Sequence, residues 1–179
     1  MSGTSDNRPS TSAEKERFSS GGNRQRIYLR GKWGLAIDRV FLWSTGYSLV
    51  TKQYAAAQGQ PYQSTLMLTT IGAHTLRRRT ACLPYFSVDG DWVVRGSNGG
   101  GPTDPHWVHN VRAHVPAWVR IGWRTVPVRA HVSAGEERER LFVELARFGP
   151  GTDAYQRMCA PRELPLVVLR PVTAGGVAP

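Results

Sequence analysis

The sequence predicts an α+β domain built around a small, mostly antiparallel β-barrel or strongly curved sheet of about six strands, with helices on its rim. Three observations predict it. Six short runs rich in β-branched and aromatic residues are punctuated by Gly, Pro and Asp. Two pairs of runs meet at tight turns, Asp89-Gly90 and near Gly122, and hairpins dictate antiparallel pairing. The strands are too few, and the helices between them too sparse, for a doubly wound parallel sheet.

In chain order, residues 1–26 are rich in Ser, Gly and charge, with Phe18 the only aromatic. Such a segment cannot bury enough apolar surface to offset the entropy of ordering, so a disordered tail is expected. No apolar stretch follows its basic residues to make a secretory signal. Residues 27–60 are expected to form a helical segment packing on the barrel. A first helix runs from about Trp33 to Thr45 and stops at Gly46; a second starts with Ser48 as N-cap and ends near Gly59. Trp33, Ile37, Val40, Phe41 and Ser44 share one face of the first helix. That stripe is expected to pack on the domain's own core, with peripheral contact at the inner face of a membrane as the alternative. The region "WGLAIDRVFLWSTGYSLV" is interrupted by Asp38 and Arg39 and is no membrane span.

Residues 61–171 carry the barrel. "STLMLTTIG" and "RRTACLPYFSV" read as strands, and Asp89-Gly90 turns the chain back into "DWVVRGS". After the glycine-rich turn "GSNGGG", Asp104 as N-cap and Pro105 at the first helical position open a helix over "HWVHNVRAH". "PAWVRIGWRTVPVRAHV" is the second hairpin. Ser133 and Glu136 form a capping box for "AGEERERLFVELARFG". A short helix over "TDAYQRM" leads to the last strand, "LPLVVLRP", and residues 172–179 are a flexible tail.

Charge and motifs narrow the chemistry. The net charge is +10, almost all of the positive charge being arginine, since Lys15, Lys32 and Lys52 are the only lysines. The planar guanidinium fork suits phosphate and carboxylate partners. The basic residues are scattered rather than gathered in one run, which ranks last a nucleic-acid or anionic-membrane binder built on net charge alone. Cys82 and Cys159 form no CxxC and are expected to be reduced and buried in a cytoplasmic protein. The common nucleotide, zinc-protease and hydrolase signatures are missing. His106, His109 and His114 near Asp104 lack the further convergent ligands that zinc needs, so no metal is expected. The most suggestive stretch is "LTTIGAHTLRRRT", residues 68–80. A glycine turn with hydroxyls, followed by Arg77, Arg78 and Arg79 re-entering a strand, makes an oxyanion cradle. Strand alternation sends Arg77 and Arg79 to one side and Arg78 to the other.

Joined in order, "LTTIG…RRRTACLPYF…DGDWVVRGSNGG…DPHWVHNVRAH…YQRM…RELPLVVLRP" resembles the deazaflavin-dependent nitroreductase family, small actinobacterial proteins that use coenzyme F-420. The resemblance covers about residues 64–171. It rests on the TTxG turn with Arg79, on Ser97-Asn98-Gly99-Gly100, on Pro105-x-Trp107-x-x-Asn110 and on Pro165-x-Val167-Val168-Leu169. It implies a split β-barrel related to flavin-binding oxidoreductases, with reduced deazaflavin as cofactor and FMN as runner-up. The implied activity is hydride transfer to an electron-poor organic acceptor: an activated C=C, a C=N or a nitro compound, a natural-product intermediate among them. A non-catalytic deazaflavin or FMN carrier is the alternative. By position, Arg79 with the His74-Thr75 backbone would hold the phosphate, and Arg77 or Arg78 would serve the carboxylate tail. Ser97 and Asn98 would border the ring system, Trp107 and Asn110 would come from the next helix, and Leu83, Pro84 and Tyr85 would wall the ring. Tyr155, Tyr85 and His109 are the candidate proton donors or substrate contacts. Monomer and homodimer are both open. Ala73 and His74 stand where many relatives carry a basic pair, and Leu76 where they often have Gly. Gly149 and Thr152 replace tyrosines found ahead of Tyr155 in some members, so the acceptor pocket is expected to differ in shape.

Overall fold

In the computed structural model six strands alternate their side chains between two cores. Residues 28–29, 31–58, 61–98, 101–148 and 151–172 are described, apart from the side chains of residues 57, 58, 148, 151, 154, 155 and 158. The tail expected at 1–26, all but Val172 of the tail expected at 172–179, Gly59, the Gly99-Gly100 pair and Gly149 lie outside them. The strands are β1 (Thr65–Ile71), β2 (Arg78–Val88), β3 (Asp91–Arg95), β4 (Ala117–Ile121), β5 (Arg124–Val132) and β6 (Leu166–Pro171). They close into a barrel in the order β1-β2-β3-β6-β5-β4, and every pair is antiparallel. The helices are α1 (Gly31–Thr45), α2 (Leu49–Gln58), α3 (His106–Arg112), α4 (Gly135–Phe148) and α5 (Gly151–Cys159).

Leu66, Leu68, Val94, Val119, Val167 and Leu169 fill the barrel, and Val108 and Val111 of α3 enter the same core. The alternate residues Phe86, Val88, Val93, Leu166 and Val168 meet Leu141, Phe142 and Leu145 of α4 in a second core outside it. A strand buried on both faces reads as an unbroken apolar run, which is why "LPLVVL" shows no alternation. Each fully buried Val or Leu contributes about 1.5–3 kcal/mol, so these two cores dominate stability. At the β2–β3 hairpin Asp89 and Gly90 both take positive φ, 52° and 84°, the conformation that Asp-Gly supplies most cheaply.

Two expected caps are not formed. Pro105, in extended conformation, occupies the cap position of α3 with no side-chain cap; Asp104 instead pairs with Arg112 and Arg162. Two guanidinium partners outcompete one backbone N–H for that carboxylate. Ser133 does not cap α4, which begins at Gly135; its hydroxyl and its N–H both donate to the Leu166 carbonyl and fasten the α4 entry to β6.

Ser48 does cap α2, accepting from Thr51 N at 2.9 Å. Its own hydroxyl donates to Asp38 Oδ2 at 2.9 Å, and Val50 N donates to Asp38 Oδ1 at 3.0 Å. Asp38 is 1% exposed, so α1 is turned with its one carboxylate inward, against the N-terminus of α2. The expected stripe therefore does not pack on the core: Trp33, Ile37 and Val40 are exposed and Phe41 and Ser44 only half-buried, while Gly34, Asp38 and Leu42 are buried. Gly34 lets the residue before the helix fold beneath the same face, since the Leu29 carbonyl carbon lies 2.7 Å from where a Cβ would stand. Cys82, on the outer face of β2, is half-buried beside this helix. Burial pushes its thiol up to about 11, with Asp38 adding to the effect and Arg39 opposing it.

Candidate active site at a split in the barrel

The two edges of β2 are unequally used. Arg78 to Pro84 pair with Ile71 to Thr65 of β1, whereas β3 pairs only with Tyr85 to Val88. Among the described residues, no strand lies along the second edge of β2 from Arg78 to Pro84. The chain leaves the sheet at Gly96, whose N–H donates to the Pro165 carbonyl at 2.8 Å. A Cβ there would stand 2.9 Å from Val108 Cγ2 and 3.2 Å from Pro165 Cβ, so only glycine lets strand and helix meet this closely. The split is bounded by β2 on one side and by Ser97-Asn98, residues 101–105 and α3 on the other.

One end of the split is closed by the Gly72–Arg77 turn. Gly72 N donates to Arg77 O at 2.9 Å and Leu76 N to Gly72 O at 2.8 Å. Asn110, buried on α3, braces it: Oδ1 accepts from Ala73 N at 3.1 Å while Nδ2 donates to Thr70 Oγ1 at 2.9 Å. An amide suits the position because it accepts and donates at once. Asn110 thus positions the turn from within. Leu76 takes φ 53° and is 79% exposed, a left-handed conformation that a Cβ makes costly.

The register sorts the arginines. Arg79 lies opposite Thr70, on the sheet face that also carries Leu66, Leu68 and Leu83. Arg78 falls on the other face, its guanidinium 5.1 Å above the Trp118 ring. Pro84 shares that outer face, while Leu83 and Tyr85 pack toward the barrel core. Among the described residues, neither Arg77 nor Arg79 has an ion-pair partner, unlike Arg112, Arg140, Arg162 and Arg170. His74 and Thr75 are exposed on the turn, and His109 is exposed on α3. Trp107 packs against the barrel core. Tyr155 lies on α5, with its side chain outside the description. From Arg79 to Tyr85 the strand advances about 20 Å, so the split suits an elongated ligand with its anionic part at the turn. Among the described residues no three His, Cys, Asp or Glu side chains cluster as a metal site would require.

The far side of the split depends on Arg162, which opens the "RELPLVVLRP" stretch but is not among the candidate site residues. Arg162 donates to the carbonyls of Gly96, Ser97 and Gly101 at 3.2, 3.2 and 2.9 Å, and to Asp104 Oδ1 at 2.7 Å. Asn98 shapes the same segment, with φ 48° and its Nδ2 donating to Thr103 O at 3.1 Å. Cys159, buried beneath, lies 3.0 Å from the Arg162 guanidinium; burial raises its thiol pKa. The only sequence signal for Arg162 is an arginine just before a buried apolar strand, too common to stand out.

The sequence matches the F420H(2)-dependent quinone reductase family over residues 47–171. An F420H(2)-dependent quinone reductase of Mycobacterium tuberculosis strain H37Rv is 38% identical over 66 residues, covering 36% of this chain and 44% of that protein. The chain therefore spans less than half the length of the curated relatives it matches. A solved F420-H2 dependent reductase, FDR-A, superposes with a TM-score of 0.53 at 28% identity, over 59% of this chain and 93% of its own. A second structure, of a domain-swapped dimer, gives 0.54 at 28% identity, over 59% of this chain and 79% of its own. The family match begins just before α2 and ends at the last residue of β6, taking in every strand of the barrel and both sides of the split: the chain belongs to the F420H(2)-dependent quinone reductase family.

Proposed function

We propose that the protein binds reduced coenzyme F-420 along the split and uses it to reduce an electron-poor acceptor of the quinone class. The observation that carries this is a pair of arginines, Arg77 and Arg79, with no ion-pair partner among the described residues, beside a turn braced from behind by Asn110. Two uncompensated cations at the closed end of a long opening suit a phosphate and a carboxylate tail. Arg79 and the backbone of His74 and Thr75 hold the phosphate; Arg77, together with Arg78 outside the barrel, meets the tail. Leu83 and Tyr85 on one side, and the Ser97-Asn98 segment with α3 on the other, flank the ring system. The cofactor, when bound, supplies the hydride chemistry. The protein supplies orientation and water exclusion, the effects that turn an encounter into a positioned reaction. Tyr85 on β2 and His109 on α3 are the candidate proton donors on the elements that bound the split, and Tyr155 on α5 is the third candidate. The relatives' names support a quinone, whose conjugated carbonyls make it an activated C=C acceptor.

The test is turnover. Purified protein is given F-420 reduced beforehand and a short-chain naphthoquinone, and reoxidation of the deazaflavin is followed by absorbance. Quinone-dependent reoxidation above the protein-free rate is expected. Tight binding without turnover of any quinone, nitro or enone acceptor would make the protein a carrier, and binding of FMN in preference to F-420 would replace the cofactor.

A further inference from the structure

Helix α1 is inside out. A helix on the surface of a water-soluble domain turns its apolar face inward and its charges to solvent. Here the one carboxylate, Asp38, is 1% exposed, and apart from the buried Leu42 and the half-buried Phe41 the large apolar residues of the helix face away from the domain. Trp33, Ala36, Ile37, Val40 and Trp43 recur at spacings of three and four and make one continuous outer strip, about 15 Å long. Trp33, Val40, Ile37 and Trp43 are 84%, 67%, 53% and 51% exposed. Trp123, 71% exposed at the tip of the β4–β5 hairpin, extends the strip, its ring edge-on to Trp43 at 6.3 Å. Arg120 fixes the two together, its guanidinium 4.8 Å from the Trp43 ring and 5.7 Å from that of Trp123. An exposed apolar patch of this kind marks a surface that is covered in use. The family match begins at residue 47, after this helix has ended.

The charges say what covers it. From Tyr28 to Val88 the chain has seven basic residues and a single acid, the buried Asp38; residues 105–135, which include the β4–β5 hairpin, have no acid at all. Lys32 and Arg39 are exposed and flank the strip on one side, with Arg124 beside Trp123. We propose that α1 and the β4–β5 tip dock flat on an anionic lipid bilayer. The tryptophans would sit at the headgroup level, where their amphipathic rings are favoured, and Lys32 and Arg39 would lie against the lipid phosphates. No described helix is long and apolar enough to cross a membrane, so the contact is peripheral. A second copy of this chain is the poorer occupant, because pairing two such faces would oppose their cations without any exposed acid to neutralise them. The inference stands on α1 and the hairpin alone and is independent of cofactor and acceptor.

Flotation of the full-length protein with vesicles tests it, using phosphatidylcholine alone and equal parts phosphatidylcholine and phosphatidylglycerol. The protein is expected to float with the anionic vesicles, in a salt-sensitive way. The double variant Trp33→Ser/Val40→Glu should bind at least about ten-fold more weakly, with an unchanged melting temperature because both side chains are exposed. Lys32→Glu/Arg39→Glu should reduce binding to anionic vesicles while leaving any residual affinity for phosphatidylcholine. Undiminished binding by Trp33→Ser/Val40→Glu would overturn the proposal, assigning the attraction to basic residues elsewhere. So would a wild-type protein that ignores both vesicles yet sediments as a dimer that the same variant dissociates, since the covering partner would then be a second copy.

Discussion

Single residues carry two features that solution measurements can reach. Leu76 holds φ 53° with its side chain 79% exposed, so it meets the left-handed penalty with little burial in return. Leu76→Gly relieves the strain but frees the unfolded chain, and the balance is a gain of up to about 1 kcal/mol in stability, read as a higher urea midpoint. A loss would mean that the Leu76 side chain has an unseen role in the turn. Cys82 reports through pH. Its folded-state pKa is raised from 9.0 to about 11, first by burial, so the folded protein holds this proton more tightly than the unfolded chain. The stabilisation is complete below about pH 9 and is lost as pH rises through about 11. Wild type should therefore lose more stability across that window than Cys82→Ala, and native Cys82 should be alkylated far more slowly at pH 8 than in denaturant. Equal slopes for the two proteins would remove the shift.

At the scale of elements, the strands and the Ser48 cap were legible, whereas the other two caps were not. Asp89-Gly90 and Gly122 placed both hairpins because a two-residue turn is a local event with few backbone solutions. Asp104 and Ser133 failed as caps because partners far along the chain, Arg162 and the Leu166 carbonyl, claimed them; local sequence carries no trace of such competition. The orientation of α1 misled for the same reason. Its apolar spacing was plain, but the demand of α2's first turn for Asp38 decided which face went inward. Asp38→Ala should thus cost about 1–3 kcal/mol by removing a buried acceptor that caps another helix, measured by urea unfolding; an exposed-site effect near zero would contradict that linkage. Arg162 acts on a segment rather than a helix. Arg162→Gln should loosen residues 96–104, seen as faster amide exchange there, while β1 and β4 keep their protection.

For the whole molecule, curvature and closure follow from six antiparallel strands buried on one or both faces, and both were readable from pattern. The split was implied by the family resemblance and not by pattern: it arises because β3 is shorter than β2 and departs at Gly96, a contact with Val108 and Pro165 that lies beyond any local signal. Of the candidate site, the turn and Arg79 were visible as a glycine followed by cations, whereas Asn110 proved to brace the turn and Arg78 and Pro84 proved to face outward. The central claim is that the anionic end of the deazaflavin cofactor lies at this turn. Fluorescence titration of oxidised F-420 into wild type, Arg79→Ala and Arg78→Ala tests it most directly. The account predicts saturable binding by wild type, a loss of about 1–3 kcal/mol for Arg79→Ala as for other charge-assisted contacts, and a smaller loss for Arg78→Ala. Wild-type affinity retained by Arg79→Ala, or no binding by the wild type, would contradict it.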